Sequence, residues 1–457
     1  MNEIYYDDAL ACFVSIVNDV FGKDVLERNV FLRDAQGKLT FVYQNEVLQF
    51  NKIKRFIKES SSKLSPYLDR DYIIATPDDL FDDSLTQKEK WRKIKVSYSG
   101  LSFNINLIER RIVGSDWLSS VNNINSKPAK IVFSSIKGGV GRTTAICIIA
   151  AHFSREGKRV LTIDMDLEAP GLGSMLIKPD VMPKFGLLDY FVESSLDNVD
   201  DKFMIDLVGS SWVSDGKGRV DVIPALGSVS LQHPENVLGK ISRAYLSESD
   251  VMNQSLLMTN VQKLMDYYSQ INRYDIILID ARSGLHETTA SLLVGLGANI
   301  FFFGVNQPQT ILGFELLFSH LKVYNSANEE WANKLRFIHA KASAEQDLAF
   351  PDFIEANIKK YFYNFPKIET SIDLDSLKDT FELDWSNESE DVIHLTEELE
   401  ENEHIITINY DARYHDFDPI ENPAILTSDF YQEAFSSLIK EVDGILNEYT
   451  LTEVDFD

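Results

Sequence analysis

The chain has 457 residues, 44% of them hydrophobic, enough for one large core and a smaller one, which excludes a disordered or fibrous protein. Its 44 basic against 71 acidic residues leave a net charge of −27, which disfavours loose binding to DNA or anionic lipid unless basic groups cluster locally. Two cysteines, Cys12 and Cys147, exclude a disulfide framework, a four-cysteine zinc site and a cysteine-held iron–sulfur cluster within one chain.

The opening run MNEIYYDDAL has neither the basic start nor the apolar stretch of a signal peptide. No segment approaches the roughly 18 uninterrupted apolar residues of a membrane span, so a soluble, cytoplasmic chain is expected. Residues Leu10, Phe13, Val14, Ile16, Val17, Val20 and Phe21 trace an amphipathic helix. A hairpin over 30–43 turns at Asp34-Ala35-Gln36-Gly37, and a second is expected over 94–112 around Ser99-Gly100. Together they predict an N-terminal α+β domain over 1–125 with a partner-binding or regulatory role. The polar segment 122–130, NNINSKPAK, reads as a linker.

From Ile131 short apolar runs alternate with longer amphipathic stretches, which places strands at 131–135, 159–164, 219–223, 275–280, 299–305, 335–340 and 404–409. Unbroken apolar runs such as Ile276-Ile277-Leu278-Ile279 suit strands covered on both faces. The fold class expected for 126–457 is therefore α/β, a doubly wound, mainly parallel sheet. The pattern lapses over about 345–403, read as an insertion whose part 372–403 is strongly acidic.

The strand at Ile131–Ser135 feeds Ile136-Lys137-Gly138-Gly139-Val140-Gly141-Arg142-Thr143-Thr144, and a helix follows to Glu156. Glycines here let consecutive backbone amides of 138–144 turn inward toward phosphate oxygens, and the helix start adds free N–H groups and its positive dipole end. Thr143 is placed to ligate Mg²⁺, and a cation beside it can reach the terminal phosphates. Arg142 stands where the common phosphate-loop pattern has lysine. It keeps the charge but is bulkier and planar, so nucleotide binding is the firmer expectation and hydrolysis is expected to be slow.

This loop resembles that of the ParA/MinD family of deviant phosphate-loop ATPases, K-G-G-x-G-[KR]-[ST], and the resemblance runs through about 130–343 and 404–445. It implies a dimer around Mg-ATP in which Lys137 reaches the phosphates of the partner subunit. The strand at 160–164 leads into Asp164-Met165-Asp166-Leu167-Glu168, and alternation places Asp164 and Asp166 on one side of its end. By resemblance Asp166 positions the attacking water and Asp164 supports the Mg²⁺ shell or the loop lysine. Glu168, where the family often has glutamine, is a candidate member of the switch. The buried strand ending at Asp280 suits a carboxylate that holds Mg²⁺ through its water shell. Gly284 falls where the family's second switch senses the γ-phosphate with a backbone amide, while Arg282 reads either as a charge stabiliser or as a surface arginine. The run IITINYD at 405–411 resembles the family's last strand, whose following loop packs near the base. Adenine specificity is implied by the resemblance alone.

Eight scattered histidines lack a zinc-hydrolase spacing, and Ser283 lacks a nucleophile elbow. Cys147 reads as an inert core residue. The acidic C-terminus is unlike the basic amphipathic helix of the family's membrane positioners, so no membrane partner is expected. The basic run Lys88–Lys95 is the one feature pointing toward nucleic acid, and as a solvated strand edge it has an ordinary explanation. The function expected is an ATP-binding, slowly hydrolysing switch that dimerises and signals to an unidentified protein. The alternatives are a nucleotide-binding scaffold with negligible turnover and a nucleic-acid regulator using the N-terminal domain.

Overall fold

Asp34 closes the first hairpin by accepting from the amides of Gln36 (2.9 Å) and Lys38 (2.7 Å), joining β1 (Val30–Arg33) to β2 (Leu39–Val42). The structure, a computed structural model, describes residues 4–44, 48–124, 126–214, 216–245, 255–270, 273–324, 329–343, 349–358 and 405–451. It divides into two compact units, Met1–Ser115 and Asp116–Asp457.

In the first unit β3 (Ile74–Ala75), β4 (Arg92–Tyr98) and β5 (Leu101–Glu109) complete a sheet of order β3-β2-β1-β5-β4. The second expected hairpin is β4–β5, and both of its turn residues, Ser99 (φ 48°) and Gly100 (φ 81°), adopt the left-handed backbone that a two-residue turn needs to match strand twist. Helices Tyr6–Phe21 and Phe50–Leu64 bring Phe13, Phe21 and Phe56 onto Phe31 and Phe41 of the sheet, with ring centroids 5.2–6.2 Å apart. The basic run divides between a 3-10 turn, Lys88–Lys90, and the start of β4, an edge strand where Lys93 and Lys95 are exposed; charged edges of this kind resist pairing with other chains. Basic and acidic residues balance in this unit, so the acidic excess lies wholly in the larger one.

The larger unit contains β6 (Ala129–Ser135), β7 (Arg159–Asp164), β8 (Gly209–Ser210), β9 (Arg219–Ile223), β10 (Ile276–Asp280), β11 (Asn299–Gly304), β12 (Leu335–Ala342) and β13 (Ile405–Asn409). Their order is β13-β12-β11-β6-β10-β7-β9-β8, parallel throughout except for β8 against β9. All seven expected strands are present. The two-residue β8 is too short to leave a period in the sequence. Strands β6 and β10 are buried along their whole length, as their unbroken apolar runs require. Because β6 lies at the centre and successive strands depart from it in both directions, a crevice opens at its carboxyl end. Helix Arg142–Arg155 packs there, apolar nearly all round, between the sheet and helix Ser428–Leu451; Ile146, Cys147, Ile148 and Ile149 are fully buried. Cys147 is thus a core residue, its thiol pushed up by burial.

The division between units lies between Ser115 and Asp116, ahead of the polar linker that composition placed at 122–130. Residues 116–122 belong to the larger unit: Trp117 is buried in its core and the Asn122 amide donates to Val294 O (2.7 Å). Composition reports the polarity of 122–127 but not the burial of the short segment before it. Between β12 and β13 helix Ala349–Ile358 is described, whereas the acidic stretch 372–403 lies outside the described residues.

Candidate functional site

The loop after β6 turns through two glycines with left-handed backbone, Gly139 (φ 73°) and Gly141 (φ 95°), the second capping helix Arg142–Arg155. A side chain at either position would strain the turn that points the amides of 138–144 into the crevice. Gly138 and Gly139 are exposed, Val140 is buried and anchors the loop, and Thr144 is half-buried in the first helical turn.

Thr143 and Asp280 meet at the centre of the site. The Thr143 hydroxyl donates to Asp280 Oδ2 at 2.5 Å, so the helix start and the β10 end present a hydroxyl and a carboxylate together. Arg142 turns inward instead of toward the crevice mouth. It is 8% exposed, its Nε donates to Asp280 Oδ1 at 3.3 Å, its Nη1 donates to the Ser135 hydroxyl, and its Nη2 stands 3.7 Å from Asp166 Oδ2. The guanidinium therefore serves three side chains of its own protein, a partnership only tertiary structure could assemble.

Asp164 and Asp280 are register partners on β7 and β10, so their side chains lie on the same face of the sheet. Strand β7 ends at Asp164, and Asp166 lies in the loop that follows. Asp164 is fully buried and its carboxylate accepts from the amides of Asp166 (3.1 Å), Gly171 (2.9 Å) and Leu172 (3.0 Å). It shapes the loop after β7, while Asp166, half-buried, is the one that approaches Arg142. Burial, reinforced by Asp280, pushes the Asp164 carboxyl up to about 8, against the lowering effect of the Gly171 and Asp166 amides. Burial also raises Asp280 and Asp166, each opposed by Arg142.

A pH dependence follows. In the unfolded chain Asp164 releases its proton near pH 4 (about 3.9), whereas the folded, ligand-free protein holds it to about pH 8, so this residue's stabilising contribution is complete below pH 4 and is lost on the way to pH 8. Melting of ligand-free protein between pH 5 and pH 8 should show this decline, and Asp164→Asn, though less stable throughout, should show a flatter one. An unchanged slope in that variant would assign the decline to other groups.

Lys137 Nζ donates to Gln307 Oε1 (2.5 Å) just before helix Pro308–Tyr324. Gly284 has φ 88°, and its amide donates to Ser135 O (2.8 Å), so in this structure that N–H is spent on the end of β6. Arg282 pairs with Glu168. A cavity of about 350 Å³ runs from Gly139–Thr144 past Lys341 to Asn409, Tyr410, Asp411 and Tyr414 after β13, the loop expected near a base. Lys341 Nζ donates to Gly139 O (2.7 Å). Neither Ser135 nor Lys341 stood out in the sequence; their position at the carboxyl ends of β6 and β12 was the available signal.

Phosphates and Mg²⁺ fit these residues. The donors are amides and the metal ligands are oxygens, and the cavity is of small-ligand size, above about 300 Å³. Among the described residues no group of three or more His, Cys, Asp or Glu could hold a metal ion.

The larger unit is thus an α/β fold with a mainly parallel sheet and a glycine loop between its central strand and the helix that follows. Residues 129–299 match a family model described as an AAA domain. Similar solved structures include a ParA family ATPase from Chlorobium tepidum TLS, 19% identical, covering 51% of this chain and 82% of that one, with a TM-score of 0.36. The pNOB8 ParA bound to nonspecific DNA is 18% identical over 71% of this chain and 99% of that one, TM-score 0.41. The MinC:MinD cell division protein complex of Aquifex aeolicus contributes a chain 16% identical over 69% and 96%, TM-score 0.42. No curated protein matches the sequence. Among the described residues no helix is long and apolar enough to cross a membrane.

Proposed function

We propose that the Asp116–Asp457 unit is an ATP-dependent molecular switch that dimerises around Mg-ATP, hydrolyses it slowly and signals its state to a protein partner. The observation that carries this reading is the meeting of the Thr143 hydroxyl and the Asp280 carboxylate beside a glycine loop at the carboxyl end of a buried strand. Amides of Gly138, Gly139, Val140, Gly141, Arg142, Thr143 and Thr144 cradle the phosphates, and Gly284, once its amide leaves Ser135, meets the terminal one. Thr143 and Asp280 are the residues that would hold Mg²⁺, which would supply positive charge against the phosphates. Asp166 orients the attacking water and accepts its proton, while Asp164 keeps the Asp166 loop in shape.

Lys137, as the family resemblance implies, reaches the phosphates of the partner subunit. Light scattering on the full chain tests the switch: the mass should double with Mg²⁺ and a non-hydrolysable ATP analogue. Lys137→Ala should remain monomeric while calorimetry still records nucleotide binding. No change of mass in the unaltered protein would refute dimerisation. No heat with any magnesium-bound nucleotide would remove the whole reading.

One observation favours a second reading, a nucleotide-binding scaffold with negligible turnover. Arg142 is engaged by Asp280 and Ser135 and so is withheld from the phosphates. Phosphate release decides between the two: turnover that disappears in Asp166→Ala belongs to the switch.

A further inference from the structure

The loops after β7 and β10 meet a second time, outside the crevice. Arg282, two residues past Asp280, pairs through Nη1 with Oε1 of Glu168, two residues past Asp166. Their side chains are 24% and 38% exposed. Each partner sits on a loop that is held from behind. On the β7 side the Met165 amide donates to Asp280 O (3.0 Å), and Asp166 Oδ1 accepts from the Ala169 amide (3.2 Å), so Glu168 rides within a turn closed by Asp166 itself. On the β10 side Thr289 Oγ1 donates to Arg282 O (3.1 Å), and the His286 ring lies 4.9 Å from that of Tyr245.

An ion pair this exposed adds little to global stability. Its leverage is local, because it joins the tip of the Asp166 turn to the tip of the Gly284 loop. We propose that Glu168 and Arg282 form a positioning pair that keeps the Asp166 carboxylate aligned with the Gly284 loop and holds the Arg282 guanidinium off the phosphates. This rests on the ATP-hydrolysing reading above and assigns to the arginine a partner on the neighbouring loop in place of direct charge stabilisation. Small displacements of an aligned group cost rate more than affinity, so the pair should act on kcat.

The experiment measures phosphate release and Mg-ATP affinity for the full chain, for Glu168→Gln, Arg282→Gln and the double variant, and for Arg282→Lys. Each glutamine variant should lose about tenfold in kcat with Kd within about threefold of wild type, and the double variant should lose no more than either, since two residues acting as one unit are not additive. Arg282→Lys, which keeps a charge for Glu168, should hold most of the rate. Hydrogen exchange over 165–171 and 281–286 should rise equally in all three glutamine variants, a readout independent of turnover. Additive losses, a loss confined to the Arg282 variants or unchanged rates in the singles would overturn the positioning pair while leaving the switch intact. An unaltered protein without turnover would overturn both.

Discussion

Asp166→Ala should lower the rate of ATP turnover at least about a hundredfold, the scale set by removing a positioned general base, while Mg-ATP still binds. Asp166 is the half-buried carboxylate on the β7 loop that reaches the phosphate-loop helix, and its other oxygen is fixed by the Ala169 amide. Burial raises its proton affinity, which suits an acceptor that must take a proton from water. Binding should survive because Thr143 and Asp280 are untouched and because Arg142, which loses one carboxylate, keeps Asp280 and Ser135. Asp166→Asn is the sharper control: it preserves size and the Ala169 contact but cannot accept the proton. Phosphate release with both variants, together with light scattering, checks the prediction; the ATP-bound dimer should accumulate. Turnover near the unaltered rate in Asp166→Asn would transfer the role to another group.

Asp116→Ala should cost about 3 kcal/mol or more of stability, the penalty of stranding buried donors that had been served by a carboxylate. Asp116 is fully buried. Its Oδ1 accepts from the Ser255 amide (3.1 Å), its Oδ2 accepts from the hydroxyls of Ser255 (2.6 Å) and Ser291 (2.5 Å), and its own amide donates to Glu287 Oε1 (3.1 Å). One side chain thus ties the first residues of the larger unit to the starts of helices Leu256–Gln270 and Glu287–Gly295. The second of these helices follows the Gly284 loop directly, so loosening it should also weaken nucleotide binding. Asp116→Asn, which retains one acceptor oxygen, should cost distinctly less. Denaturant unfolding followed by fluorescence, with Trp117 beside the substitution, measures both. A variant as stable as the unaltered chain would show that water or neighbouring groups take over the stranded donors.

Much of the site could be read locally. The glycine loop is legible because its backbone conformation is set within a few consecutive residues, and glycine at 139 and 141 is a direct record of the left-handed backbone found there. Asp280 was legible for a similar reason: an apolar run of fixed length ends in it, and parallel strands present their carboxyl ends to the crevice. Arg142 was legible as a position but not as an arrangement. Its partners Ser135 and Asp280 come from the ends of β6 and β10 and Asp166 from the loop after β7, and nothing in the run GGVGRTT says that the guanidinium folds back toward them. Asp164 was legible as a strand-end carboxylate, but the amides of Gly171 and Leu172 that it serves were not.

What the sequence by itself determined is the set of short-range facts: two hairpins, seven strands of the larger sheet, the glycine turn after β6, and the carboxylates at strand ends. Each depends on periodicity or backbone conformation within about ten residues, where sequence order and spatial neighbourhood coincide. Only the tertiary structure decided that β6 lies between β10 and β11, that Glu168 meets Arg282, that Lys341 reaches Gly139, and that Asp116 belongs to the larger unit. Those contacts join residues far apart along the chain, and they are selected by strand order and by the burial of polar groups that must find partners, conditions set by the whole fold.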